Sequence, residues 1–358
     1  MTERKGRERI PVGILGATGA VGQRLVERLD GHAWFEVREV GASRQSAGRP
    51  YGEAVTWRLP GDMPAAVAGL RVKDVTEPWE SVLLFSALDA AVAGGVETQL
   101  AARGHAVVSN ARSHRLDPDV PLLIPEVNPD HLGLLARQKE RGPGILVTNP
   151  NCSAIGLSLA LAPLHRAFGV DAVEVVTLQS LSGAGYPGVP ALDAADNVIP
   201  FIEGEEPKLI EEPRKVLGRW TGTAVEPAEM TVSAQVHRVP VSEGHQLALS
   251  VKLRQAASPE DVTAALSRLR GRPQELGLPS APRFPIHVLS APDRPQPRLD
   301  RDRERGMAIT VGRVRRCPVL DVRLSVLVHN TIRGAAGAAI LNAELCVAER
   351  QIQVEPRA

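Results

Sequence analysis

The run Ile10 to Leu15 reads as a short buried strand, and it leads directly into Gly16-Ala-Thr-Gly19-Ala-Val-Gly22. This join constrains the fold more than any other stretch. A helix pattern follows, with Val21, Leu25, Val26 and Leu29 on one face and Gly31 as its stop. Glycines let backbone approach a pyrophosphate, and the helix start meets its negative charge. A plain tight turn would use the same residues, but strand, glycine turn and helix together point to a dinucleotide. Gly16, Thr18, Gly19, Ala20 and Val21 would line that cradle.

The next strand, Phe35 to Val40, ends in Gly41-Ala42-Ser43-Arg44. An acidic residue there would hold the ribose 2′-hydroxyl of NAD. A serine and an arginine suit a 2′-phosphate instead, so NADP is the expected cofactor; the alternative for Arg44 is a solvated loop charge. Further strand runs cover Val82 to Leu88 and Ala106 to Asn110. Alternating strands and helices imply a parallel Rossmann-type sheet with its site at the strand C-termini. Ser86, Ala87 and Asn110 sit at such ends, and Arg112 and Arg115 follow on a loop where a cation could hold an anion.

At 358 residues the chain has room for two domains. With 42 Lys+Arg against 41 Asp+Glu and 3% aromatics, neither nucleic acid nor an anionic membrane is called for as a partner. Cys152, Cys317 and Cys346 are far apart, which argues against a zinc site or a disulfide framework and for a reducing, cytoplasmic setting. The basic start, Met1 to Arg9, precedes an apolar run, yet the spaced glycines argue against a signal peptide.

Cys152 stands between Asn149-Pro150-Asn151 and an apolar helical run, Ala154 to Leu164. A helix start lowers a thiol's pKa toward the thiolate, the nucleophilic form. The competing reading is a small buried hydrophobe in a turn.

Beyond Cys152 the pattern alternates. Val173, Val175, Thr177 and Gln179 share one parity; so do Val232, Ala234, Val236 and Arg238, then Leu247 to Leu253 with His245, then Leu320 to Val328. Such alternation marks strands covered on one face. The expected fold is α/β: a Rossmann-type domain at 1–150 plus an α+β domain at 151–330 with a mixed or antiparallel sheet. Parity turns Gln179, Arg238 and His245 inward. Arg238 then needs a carboxylate of the protein or a substrate anion, and His245 is either structural or catalytic. Glu203 to Lys215 reads as a solvated face. Ser258-Pro259-Glu260-Asp261 opens a structural helix that Gly271 ends. The small residues Gly334 to Gly337 would let the last helix pack closely on the first domain or the cofactor.

The motifs together resemble the aspartate-β-semialdehyde dehydrogenase family in its archaeal and fungal-like branch, from Gly13 to Glu344. They include the glycine turn, Ser109-Asn-Ala-Arg-Ser-His-Arg115, Asn149-Pro-Asn-Cys-Ser153, Gln179-Ser-Leu-Ser-Gly-Ala-Gly185, Glu205-Glu-Pro-Lys208, Arg238-Val-Pro-Val-Ser-Glu-Gly-His245 and Asn330-Thr-Ile-Arg-Gly-Ala-Ala-Gly337. The resemblance implies Cys152 as nucleophile, His245 as general acid/base and Gln179 orienting an acyl intermediate. Arg238 would hold the substrate carboxylate, Glu205 its amine, and Arg115, Asn110 and Lys208 its phosphate. Gly183 and Asn330 would join the NADP site. It also implies that 151–330 is the catalytic and dimerisation domain, pairing the chain into dimers or tetramers, that a C-terminal helix at 331–358 completes the first domain, and that the protein has a place in the synthesis of aspartate-derived amino acids. The sequence departs from the family pattern at Asp89, where proline is expected, and by prolines at Pro187 and Pro207.

The expected chemistry is reductive dephosphorylation of β-aspartyl phosphate. The Cys152 thiolate attacks the acyl carbon, helix-start N–H groups and the Asn151 side chain steady the oxyanion, and His245 moves the proton. Two alternatives are a related reductase for malonyl-CoA or N-acetylglutamyl phosphate, and a non-catalytic NADP-binding sensor.

Overall fold

A computed structural model describes residues 9–353, so most of the basic start lies outside it. The first sheet contains β1 (Ile10–Leu15), β2 (Phe35–Ala42), β3 (Val72–Asp74), β4 (Leu83–Ser86), β5 (Ala106–Ser109) and β6 (Ile145–Thr148). Their order is β3-β2-β1-β4-β5-β6, and every pairing is parallel. Strand order reverses between β1 and β4, which opens a crevice at their C-terminal ends. The Gly16 turn, Ser86 and Asn110 all lie at that edge.

The second sheet takes β7 (Val170–Gln179), then, after a small separate pair β8 (Arg219–Trp220) and β9 (Val225–Glu226), β10 (Thr231–Arg238), β11 (His245–Leu253), β12 (Ile286–Leu289), β13 (Ile309–Arg316) and β14 (Val322–Val328). Its order is β10-β7-β11-β14-β13-β12, with parallel pairs at both edges and antiparallel pairs between. The alternating pattern holds residue by residue. Val173, Val175, Thr177 and Gln179 are buried, while Glu174 and Leu178 face out. The covered face packs on helices Cys152–Phe168, Glu205–Val216 and Pro259–Arg268.

Ser258 caps its helix with a reciprocal Ser258–Asp261 box. That helix stops at Arg268, and Gly271 opens the next short helix instead of ending this one. After β14 the chain makes a π-turn, Ile332–Ala336, then the helix Gly337–Ala348. Ala339, Ile340, Leu341, Ala343 and Leu345 of this helix join the core of the first sheet. The Cys152–Phe168 helix joins the core of the second. The first core is thus closed by a helix from the far end of the chain, the second by the helix that leads into β7. Arg333 and Glu126, both fully buried, fasten the π-turn with two hydrogen bonds of 2.9 and 2.6 Å. Among the described residues no helix is long and apolar enough to cross a membrane.

Candidate active site

The glycine turn fits a dinucleotide. A Cβ on Gly22 would lie 2.1 Å from the Gly16 carbonyl oxygen, and one on Gly16, where φ is +76°, would lie 2.6 Å from the Ala87 oxygen. Side chains are therefore excluded from the cradle. Helix Ala20–Leu29 begins at Gly19 with no side-chain cap, so its first N–H groups remain for an anion. Thr18 and Val21 flank this turn. The Ser86 Oγ is buried without a partner at the β4 end, beside Ala87. Ser43 and Arg44 lie exposed past β2, where Arg44 is 3.4 Å from Asp74. Asp89, at the unusual position, is the N-cap residue of the helix Ala90–Ala102.

Cys152 is the first residue of its helix and is half-buried. The C-terminal π-turn presses on it, since a Cβ on Gly334 would meet the Cys152 Cβ at 2.7 Å. The expected activation by the helix start is not what dominates. Burial, with Glu205 adding to it, pushes the thiol up to about 12, against the pull of Arg115, Lys208 and Arg238. The helix-start donors are also engaged. Asn151 Oδ1 accepts the Ser153 and Ala154 N–H groups at 2.9 and 3.2 Å. Asn151 Nδ2 donates to both oxygens of Glu205 at 3.0 and 3.1 Å. The Asn151 side chain thus serves as cap and clamp for these two N–H groups and Glu205.

His245 is buried at the start of β11, on the face the parity argument assigned. Its Nδ1 accepts from the Ser180 N–H at 3.0 Å and lies 3.1 Å from the Ser180 Oγ. The proton of the neutral ring is therefore on Nε2, which has no partner. Burial pushes His245 down to about 3, against Glu205, so the ring is neutral at ordinary pH. An Nε2–H aimed into the site can donate to an oxygen that gains charge. Gly183 leans over this ring: a Cβ there would lie 2.8 Å from Arg238 Nη1 and 3.0 Å from His245 Nε2.

Arg238 donates to the Ser180 carbonyl at 2.7 Å, and among the described residues no carboxylate pairs with it. Burial lowers its pKa, as it does for any guanidinium kept from water. Glu205 is buried; burial alone would raise it, but Lys208, Asn151 and Gln179 hold it below the ordinary carboxylate range. Lys208 is 2.7 Å from Glu205. Gln179 is buried and donates to the Thr177 Oγ1 at 3.3 Å.

Three expected ligand groups are occupied within the protein. Arg115 pairs with Glu212 at 2.9 Å and donates to the Asn110 carbonyl at 2.7 Å. Asn110 donates to the Ser86 carbonyl at 3.0 Å and accepts from Asn149. Asn330 accepts from Gly244 N–H at 2.9 Å and donates to Ser182 Oγ at 2.8 Å, so it braces the loop before His245. Arg112 is exposed and, among the described residues, forms no ion pair.

The solvated face expected for Glu203 to Lys215 holds for Glu203, Glu206, Glu211 and Arg214, but the opposite side of the helix is buried. Glu205, Leu209, Glu212 and Val216 are buried together. Their spacing of four, three and four is a helical stripe, and that spacing was a usable signal. Lys215, also buried, gives its three donors to the carbonyls of Arg115, Asp117 and Val120. Ser180 and Glu212 are the site-shaping residues that sequence reasoning missed.

The residues 11–135 match the model of the semialdehyde dehydrogenase NAD binding domain, and 161–333 match that of the semialdehyde dehydrogenase dimerisation domain. The aspartate-semialdehyde dehydrogenase of Methanothermobacter thermautotrophicus is 48% identical over 94% of this chain and 98% of its own. That of Saccharomyces cerevisiae is 44% identical, over 95% and 98%. The solved aspartate semialdehyde dehydrogenase with NADP from Candida albicans superposes with a TM-score of 0.89 at 43% identity, over 96% of this chain and 99% of that one. An aspartate semialdehyde dehydrogenase II complexed with ASA from Vibrio cholerae gives 0.76 at 26%, over 96% and 99%. The chain belongs to the aspartate-semialdehyde dehydrogenase family.

Proposed function

We propose that this protein converts L-β-aspartyl phosphate to L-aspartate 4-semialdehyde, reversibly and with NADPH, through a thioester on Cys152. One observation carries the reading. Buried Arg238, with no carboxylate partner among the described residues, and anionic Glu205 both act on the same thiol. A cation and an anion at that spot match the two charges of an amino-acid head group. Arg238 binds the substrate carboxylate, and Glu205, exchanging Lys208 or Asn151, takes the amine. Cys152 attacks the acyl carbon, its S–C bond forming as the acyl–phosphate C–O bond breaks; the thiol proton goes to the departing phosphate, which leaves as hydrogen phosphate toward Arg115, Lys208 and Asn110. NADPH, held at Gly16, Thr18, Gly19, Ala20, Val21, Ser43, Arg44, Ser86 and Ala87, with Gly183 and Asn330 on its nicotinamide side, supplies the hydride. Gln179 orients the acyl group, and the His245 Nε2–H donates to the oxygen that becomes the aldehyde.

The division at residues 150 and 151, with 331–358 returned to the first unit, belongs to this reading and is supported by the two separate cores. So do a cytoplasmic location and a homodimer or homotetramer built on the second unit, where the outer sheet face carries exposed Leu178. The test is oxidation of the semialdehyde by NADP with and without phosphate. Turnover should require phosphate or arsenate; turnover that continues without either sinks the proposal.

A further inference from the structure

We propose that Glu212 is a positioning residue for the nucleophile, holding the peptide before Cys152 in register with the loop that carries Asn110 and Arg115. Each of its oxygens has one task. Oε2 accepts the Asn151 N–H at 2.6 Å, and Oε1 accepts from Arg115 at 2.9 Å. Arg115 passes the connection on to the Asn110 carbonyl at 2.7 Å. Glu212 is 2% exposed, so it reaches a substrate only through these neighbours.

The rest of the helix repeats the same grip. Glu205, two turns earlier on the same stripe, holds the Asn151 side chain, while Glu212 holds the Asn151 backbone. Lys215 locks the carbonyls of the Arg115 loop. One helix packed on the second sheet thereby fixes two loops at the C-terminal edge of the first. The pairing with Glu212 also sets where the Arg115 charge stands relative to the thiol, on which it acts. Reacting groups tolerate little misplacement, since about 1 Å of error costs roughly 10²-fold in rate.

The inference rests on the proposed function only for its turnover assay. Full-length Glu212→Ala and Glu212→Gln are compared with wild type in semialdehyde oxidation, in iodoacetamide alkylation of Cys152 and in thermal unfolding. Glu212→Ala should lower kcat by roughly 10- to 100-fold with KM for NADP unchanged. Alkylation should become faster, because a released Arg115 favours the thiolate. Glu212→Gln keeps an acceptor for the Asn151 N–H and should fall between the two; it carries the test alone if the alanine variant does not fold. A folded alanine variant with wild-type kcat and alkylation overturns the proposal. So does a loss of kcat that merely tracks the folded fraction or is matched by a rise in KM for NADP. Alkylation needs no substrate, so a failure of phosphate dependence in wild type would count against the function and leave this inference standing.

Discussion

Two of the helices that leave the C-terminal edge of the parallel sheet begin in opposite ways. After β1 the helix starts at a bare glycine with no side-chain cap, between Gly16 and Gly22, which have no room for a Cβ. After β6 it starts at Asn151, whose side chain takes two N–H groups and whose amide is clamped by Glu205. Both starts carry the same partial positive charge. The first leaves it for a ligand; the second spends it on a cap and holds a thiol in place. At the second start, burial and the Glu205 charge push the thiol up against three nearby cations, and the resting thiol is protonated. A helix start is therefore an anion site only when its donors are left free and the neighbouring charges permit it.

The contrast can be broken by crossing its two halves. Cys152→Ser should reduce turnover to background while leaving NADP binding intact, as read by fluorescence titration. Lost NADP affinity in that variant would mean the two starts are not separate. Gly22→Ala should do the reverse. Its Cβ would collide with the Gly16 carbonyl, so NADP should bind at least about tenfold more weakly while substrate-free alkylation of Cys152 stays unchanged.

The protonated resting thiol has a pH signature. A group pushed up to about 12 is a thiol, not a thiolate, throughout the neutral range. Alkylation of substrate-free protein should therefore keep rising, about tenfold per pH unit, with no plateau below roughly pH 10. A plateau near neutrality would show that the helix start wins after all. The smallest effect concerns the cap. Asn151→Ala should cost about 1–2 kcal/mol of stability, read as a lowered denaturation midpoint; an unchanged midpoint would remove the cap from the comparison.

Most strands of both sheets were legible in the chain because their periods are local; the short β3 and β12 and the β13 strand were not. Val173 to Gln179 alternate, and that alternation alone turned Gln179 inward. The same logic placed Arg238 and His245 on the covered face. The buried side of Glu203 to Lys215 was missed because charge was counted and spacing was not. Glu212 shares a stripe with Leu209 and Val216, and it is buried because Arg115 and the Asn151 N–H satisfy it. Those partners come from far-off loops, which a local pattern cannot announce.

By itself the sequence determined the glycine cradle, the position of the thiol, the inward parity of three site residues and the family motifs. Each follows from backbone sterics or from a repeat read within one element. Only the tertiary structure decided what those groups are while they wait. It put the His245 proton on Nε2 through a backbone N–H of Ser180, set Glu212 between Arg115 and Asn151, and raised the Cys152 thiol. Protonation and hydrogen-bond partnership depend on what surrounds a group in space, and these surroundings are assembled from residues distant in the chain.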